Sequence, residues 1–145
     1  MAKIIGYAAV FDSPSGDLGG FTETIDPHAF DGVINARNLD VVCTFNHKAD
    51  NLLGRKAAHT LRLNIDSRGL RYECDIPNTN LGVDVYELVK RRDVATSSFQ
   101  FVSKRDEWQI DASGTVRRRI LEVGDLIDVS PVTWPAYPTT SAGLA

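Results

Sequence analysis

The sequence predicts a mostly-β domain, a barrel or sandwich of short strands with two helices set against it. Three observations predict this. Short runs rich in β-branched and aromatic residues alternate apolar with polar, and clusters of Gly, Pro, Asn and Asp punctuate them. Two stretches only carry helical signals: one opened by Asp26-Pro27, and one in which Leu81, Val85, Leu88 and Val89 recur along a single helical stripe. With 145 residues, 43% hydrophobic and 24% charged, the chain is long enough for a real core and ordinary for a soluble globular protein.

Lys3 to Phe11 is rich in β-formers and ends at the turn cluster Asp12-Ser13-Pro14-Ser15-Gly16, which Asp17-Leu18-Gly19-Gly20 extends. Phe21 to Ile25 reads as a short second strand. Asp26 is placed as an N-cap with Pro27 in the first turn, opening a helix that runs to about Asn35. Asp40 to Asn46 reads as a strand with Val41, Cys43 and Phe45 on one face and His47 at its end. Leu52 to Ala57, Thr60 to Ile65 and Leu70 to Ile76 follow as strands, the last two joined by the turn Asp66-Ser67-Arg68-Gly69. Pro77-Asn78-Thr79-Asn80 stops the sheet and supplies caps for the amphipathic helix from Leu81 to near Arg92. Val94 to Val102 is again a strand, followed by the charged run Lys104-Arg105-Asp106-Glu107, by Trp108 to Asp111, and by a turn at Ala112-Ser113-Gly114. Thr115 to Val123 and Leu126 to Thr133 are the last strands, interrupted at Gly124, which suits a bulge. The domain is placed at residues 1–138, with no repeat or linker inside it, and 139–145 read as a short tail, a processed or engineered end.

Composition narrows the function. A net charge of −3 argues against nucleic-acid binding through a basic surface, and Arg117-Arg118-Arg119 is too small a cluster to reverse that. Cys43 and Cys74 each sit in an apolar alternating run with no secretory signal ahead of them, which fits buried free thiols in a cytoplasm. No apolar run approaches the length needed to cross a membrane. Metal-ligand spacings and phosphate-binding glycine loops are absent, so neither a metal nor a small cofactor is expected, and the missing G-x-S-x-G elbow excludes a hydrolase of that fold.

The stretch Asp93-Val94-Ala95-Thr96-Ser97-Ser98-Phe99-Gln100-Phe101-Val102 carries the first chemical signal. In an extended chain Ser97, Phe99 and Phe101 share one face and Ser98, Gln100 and Val102 the other. The phenylalanines take the core, which leaves Ser98 facing away from it. A half-buried strand with ordinary serines has the same pattern, so a nucleophile requires a base and an orienting acid elsewhere. Of three histidines, His28 lies in a helix first turn and His59 in a turn between strands. His47, where a strand gives way to a loop, is best placed as a base. Glu122, Asp125 and Asp128 are the acids of the last strands. Leu121 and Val123 point inward and Glu122 outward, and Ile127 and Val129 share a face, so Asp128 points the other way with Ser130.

Taken together these residues resemble the prohead maturation proteases of tailed bacteriophages, serine endopeptidases related in fold to herpesvirus assemblin. The similarity includes Gly6-Tyr7-Ala8-Ala9-Val10-Phe11, Ile25-Asp26-Pro27-His28-Ala29-Phe30, Phe45-Asn46-His47, Leu53-Gly54-Arg55 and Arg68-Gly69-Leu70. It continues through Glu87-Leu88-Val89-Lys90-Arg91 and Ser98-Phe99-Gln100-Phe101, and ends with the run from Asp128-Val129-Ser130-Pro131 to Tyr137-Pro138. The resemblance implies an assemblin-like closed or nearly closed barrel of mainly antiparallel strands with flanking helices. It implies His47 as general base, Ser98 as nucleophile and Asp128 as third member, with Glu122 as rival. Assemblin-type enzymes use a second histidine there, and none follows His59 in this chain. The family's helix entry usually has Gly where this chain has His28.

The implied substrates are the scaffold segment of the major capsid protein, internal proteins of the immature capsid and the protease itself. Self-association and a location inside the assembling prohead, in the host cytoplasm, belong to the same expectation. The alternative is a non-catalytic capsid assembly or scaffolding module with the same fold.

Overall fold

The computed structural model describes residues 2–145. The chain runs through β1 (Lys3–Val10), β2 (Thr22–Ile25), a single-turn helix α1 (Asp31–Ile34), β3 (Val42–Thr44) and β4 (Leu52–Arg55). A 3-10 turn (Lys56–Ala58) leads to β5 (Leu61–Ile65), β6 (Gly69–Asp75), helix α2 (Asn80–Lys90), β7 (Thr96–Ile110), β8 (Val116–Val132) and β9 (Ser141–Leu144). The architecture is mostly β, as the alternation predicts. Pairing among the described residues yields two sheets rather than one closed ring. No helix among those residues is long and apolar enough to cross a membrane.

One sheet has the order β5-β6-β1-β9, all antiparallel. In the other, β8 is the spine. β7 lies antiparallel along one side of it, from Thr96↔Val132 to Ile110↔Val116. The opposite side carries β2 in parallel at Arg117–Ile120 and β3 in parallel at Asp128 and Val129, with β4 beyond β3. The core between the sheets is built from side chains such as Tyr72, Ile4, Leu70, Ile120, Leu126 and Val129, all 0–1% exposed. Phe30 sits edge-on to Phe99 within it, centroids 5.6 Å apart.

Helix α2 follows the predicted stripe, with Val85 and Val89 buried and Thr79 Oγ1 accepting from Gly82 N at 3.0 Å as its N-cap. α1 departs from expectation, being one turn instead of a helix over Asp26–Asn35. The Asp26 carboxylate caps the His28 amide two residues on (2.9 Å), and Ala29 N bonds Asp26 O, so the segment begins as turns. β3 is shorter than the reading Asp40–Asn46. Asp40 is drawn aside by Arg55 Nε (2.8 Å) and Ala57 N (3.1 Å), and Asn46 is left-handed at φ 57°.

Further differences concern continuity. β7 and β8 are each unbroken across the charged run and across Gly124, because bulges absorb the irregularity. Gly124 is itself extra, between Val102↔Asp125 and Ser103↔Val123. Arg105–Glu122 (3.3 Å) and Arg118–Asp106 (2.6 Å) tie the charged stretch across the pair. A second shift, where Gln100↔Asp128 gives way to Phe101↔Leu126, puts Leu126 in the core and leaves Ile127 43% exposed. Ile127 therefore does not share the inward face of Val129, although Asp128 does lie opposite that face. The tail also differs from expectation: Ser141–Leu144 is strand β9, paired with Tyr7–Ile4 of β1. Its small residues fit where Gly6 allows a close backbone approach, since a Cβ on Gly6 would stand 2.0 Å from Ser141 O.

Candidate active site

The last third of β8 is flanked by β7 and β3, and cross-strand partners share a sheet face. Ser98 lies opposite Ser130, and Gln100 and Val42 both lie opposite Asp128. Thr44 follows Val42 by two residues, and its Oγ1 is 2.8 Å from Ser130 Oγ. Ser98, Ser130, Asp128 and Thr44 therefore occupy one face. The other face of the same strands carries Ser97, Phe99, Val129 and Cys43 into the core.

Ser97 shows why the parity holds. Its Oγ donates to Ser141 O at 2.7 Å and meets Tyr72 OH at 2.7 Å, while its amide donates to Thr140 Oγ1 at 3.1 Å. These contacts pin the start of β7 to β9 and turn Ser98 to the opposite side. Ser98 is only 7% exposed, and its hydroxyl makes no hydrogen bond among the described residues.

Asp128 is buried, 2% exposed. Thr44 Oγ1 donates to its Oδ2 at 2.6 Å and Ser130 Oγ donates to its Oδ1. His47 Nδ1 stands 3.5 Å from the same Oδ2, with the histidine side chain 23% exposed. That approach is longer than a hydrogen bond, and Nδ1 is buried with no other partner among the described residues. A closing movement of several tenths of an ångström would complete the pair.

The turn that carries His47 is held by the backbone and side chain of Asn46. Asn46 and His47 are both left-handed, at φ 57° and 59°, a conformation Asn tolerates better than most residues. Asn46 N donates to Pro131 O (3.2 Å), its Oδ1 accepts from Thr133 N (2.9 Å), and its Nδ2 donates to Thr133 Oγ1 (3.2 Å). The turn is thus clamped onto the end of β8, above Asp128. An open concavity of about 340 Å³ beside it is lined by Asn46, His47, Val132, Thr133 and Trp134, the last 88% exposed. A larger one of about 600 Å³, between α1 and the bulged part of β7 and β8, contains none of Ser98, His47 or Asp128.

The remaining candidates lie elsewhere. Glu122 pairs with Arg105 at 3.3 Å on the surface, and Asp125 is exposed opposite Val102. His28 Nδ1 meets Asp31 Oδ2 at 2.9 Å with its side chain 83% exposed. His59 ends the 3-10 turn in a left-handed conformation, a turn residue as its position predicts. Cys43 and Cys74 are free and buried. A hydrogen bond with Cys74, together with burial, pushes the Cys43 thiol well up, which makes it a poor nucleophile.

Sequence parity already places Ser130 beside Asp128. It does not find Thr44, whose part comes from a strand far away in the chain. A hydroxyl and a buried carboxylate on one sheet face, with an imidazole 3.5 Å from that carboxylate, are the residue types that acyl transfer uses. A family model described as caudovirus prohead serine protease matches residues 1–145. No curated protein matches the chain significantly.

Proposed function

Because the chain belongs to the family of caudovirus prohead serine proteases, we propose that it acts through Ser98, His47 and Asp128 as an endopeptidase of capsid maturation. Its substrates in this reading are the scaffold segment of the major capsid protein, internal proteins of the immature capsid and its own chain. It works inside the assembling shell, and self-association there brings it to full activity. Ser98 Oγ attacks the peptide carbonyl, and His47 takes its proton and returns it to the leaving amine. Asp128 holds the imidazole tautomer and stabilises the imidazolium. The oxyanion donors are assigned to backbone amides of the loop after β8. Thr133 N is engaged by Asn46 (2.9 Å), so the set begins at Trp134, whose amide is free among the described residues. The two sheets are read as a nearly closed barrel, since Ala142 N of β9 donates to Ala95 O just before β7 (3.0 Å).

The observation that carries the proposal is the 3.5 Å approach of His47 to buried Asp128 on the face that Ser98 shares. Labelling with a fluorophosphonate probe and mapping the adduct by mass spectrometry tests it. Modification of Ser98 that vanishes in Ser98→Ala and in His47→Ala is expected. No labelling at any concentration or assembly state would replace this reading with a non-catalytic assembly module.

A further inference from the structure

We propose that Thr44 is a positioning residue of this site, whose hydroxyl holds the Asp128 carboxylate with Oδ2 turned toward His47. The inference rests on the protease reading above and extends it to a residue outside the Ser98, His47 and Asp128 set. Thr44, Ser130 and Asp128 are 1%, 0% and 2% exposed, so the carboxylate is shielded from bulk water and its hydrogen-bond partners among the described residues are protein hydroxyls. Each carboxylate oxygen can accept more than one hydrogen bond. Ser130 occupies Oδ1, and Thr44 occupies one position on Oδ2 at 2.6 Å. The remaining capacity of Oδ2 faces His47 Nδ1, 3.5 Å away.

The two hydroxyls are therefore not equivalent. Ser130 holds the oxygen away from the imidazole, whereas Thr44 holds the one that the imidazole must meet. Thr44 is also the last residue of β3 and leads directly through Phe45 and Asn46 to His47. One short segment thus fixes both partners, its strand end by the hydroxyl and its turn by the Asn46 clamp. A merely structural threonine would satisfy a buried acid and affect stability, with no special bearing on the chemical step.

The test uses the concentration dependence of fluorophosphonate labelling at Ser98, which separates the limiting rate kinact from the half-saturating concentration KI. Thr44→Val keeps the shape and removes the hydroxyl. Losing one hydrogen bond to a charged group should lower kinact by about tenfold or more, with KI unchanged. Thr44→Ser should recover most of the rate, and Ser130→Ala should lose less than Thr44→Val. If circular dichroism shows Thr44→Val unfolded, Thr44→Ala carries the same expectation. Wild-type kinact in the hydroxyl-free variant, no recovery in Thr44→Ser, or an equal loss in Ser130→Ala would each overturn the inference. An unlabelled wild type would overturn it together with the protease reading, and is distinguished by the absence of any Ser98 adduct.

Discussion

Replacing Asp128 by Asn separates Asp128 from Glu122, its rival on β8 as the orienting acid. The substitution keeps the shape of a side chain that is 2% exposed and removes its charge. If the amide nitrogen takes the place of Oδ2, it points its hydrogens at Thr44 and at His47, 2.6 and 3.5 Å away. His47 must then accept at Nδ1, the tautomer that leaves a proton on the nitrogen needed as base. If the amide turns over, the correct tautomer survives but no charge remains to stabilise the imidazolium. Loss of the carboxylate from such a triad lowers the rate by roughly 10³- to 10⁴-fold, about 4–5 kcal/mol in barrier. Glu122→Gln removes only an ion pair with Arg105, whose side chains are 45% and 61% exposed, and should change the rate by less than about twofold. The assay is the second-order rate of fluorophosphonate labelling at Ser98, with thermal melting to confirm that both variants are folded. A folded Asp128→Asn protein that labels within about tenfold of wild type would refute the reasoning, as would an equal loss in Glu122→Gln.

Gly6→Ala should destabilise the protein by about 2–3 kcal/mol in chemical denaturation, because the new Cβ would stand 2.0 Å from Ser141 O and force β9 away from β1. Since β9 and Thr140 anchor Ser97, labelling of Ser98 should slow in the same variant while it is still folded. Tyr7→Phe should cost about 1 kcal/mol at neutral pH, where the tyrosine hydroxyl donates to the Asp66 carboxylate at a half-buried site. The Tyr7 hydroxyl is the main cause that lowers Asp66 below its ordinary 3.8, so that share of stability is lost as pH falls through the depressed value. Asp66 in turn raises Tyr7 above its ordinary 10.0, so the share is lost again as pH rises through the elevated value. The difference between Tyr7→Phe and wild type, followed by thermal melts across pH, should be largest between those limits. A difference that stays constant into strong acid would refute the assignment.

The local features of the chain were legible in its sequence because they depend on near neighbours. Period-two alternation gave the strands, the Leu81-Val85-Leu88-Val89 stripe gave α2, and parity alone turned Ser98 away from Phe99. Parity misjudged Ile127, because a bulge depends on how two strands meet and changes the count within one of them. The four-residue α1 and strand β9 were hidden for a similar reason. Asp26 could cap a helix or close a turn, and Ser141–Leu144 becomes a strand only because β1 offers a close edge at Gly6.

The site divides along the same line. His47 and Ser98 were singled out from their own surroundings in the chain, as a candidate base at a strand end and a hydroxyl on the face opposite the core. Glu122 and Asp128 are both outward-facing acids of the last strands, and parity cannot rank them. Only the parallel pairing of β3 with β8 brings Thr44 to Asp128 across 84 residues of sequence and leaves Glu122 with Arg105. Side-chain alternation is a property of the backbone, and the sequence by itself determines it. Which distant strands meet, and in what register, is decided by packing of the whole core, and so the choice of acid beside His47 belongs to the tertiary structure.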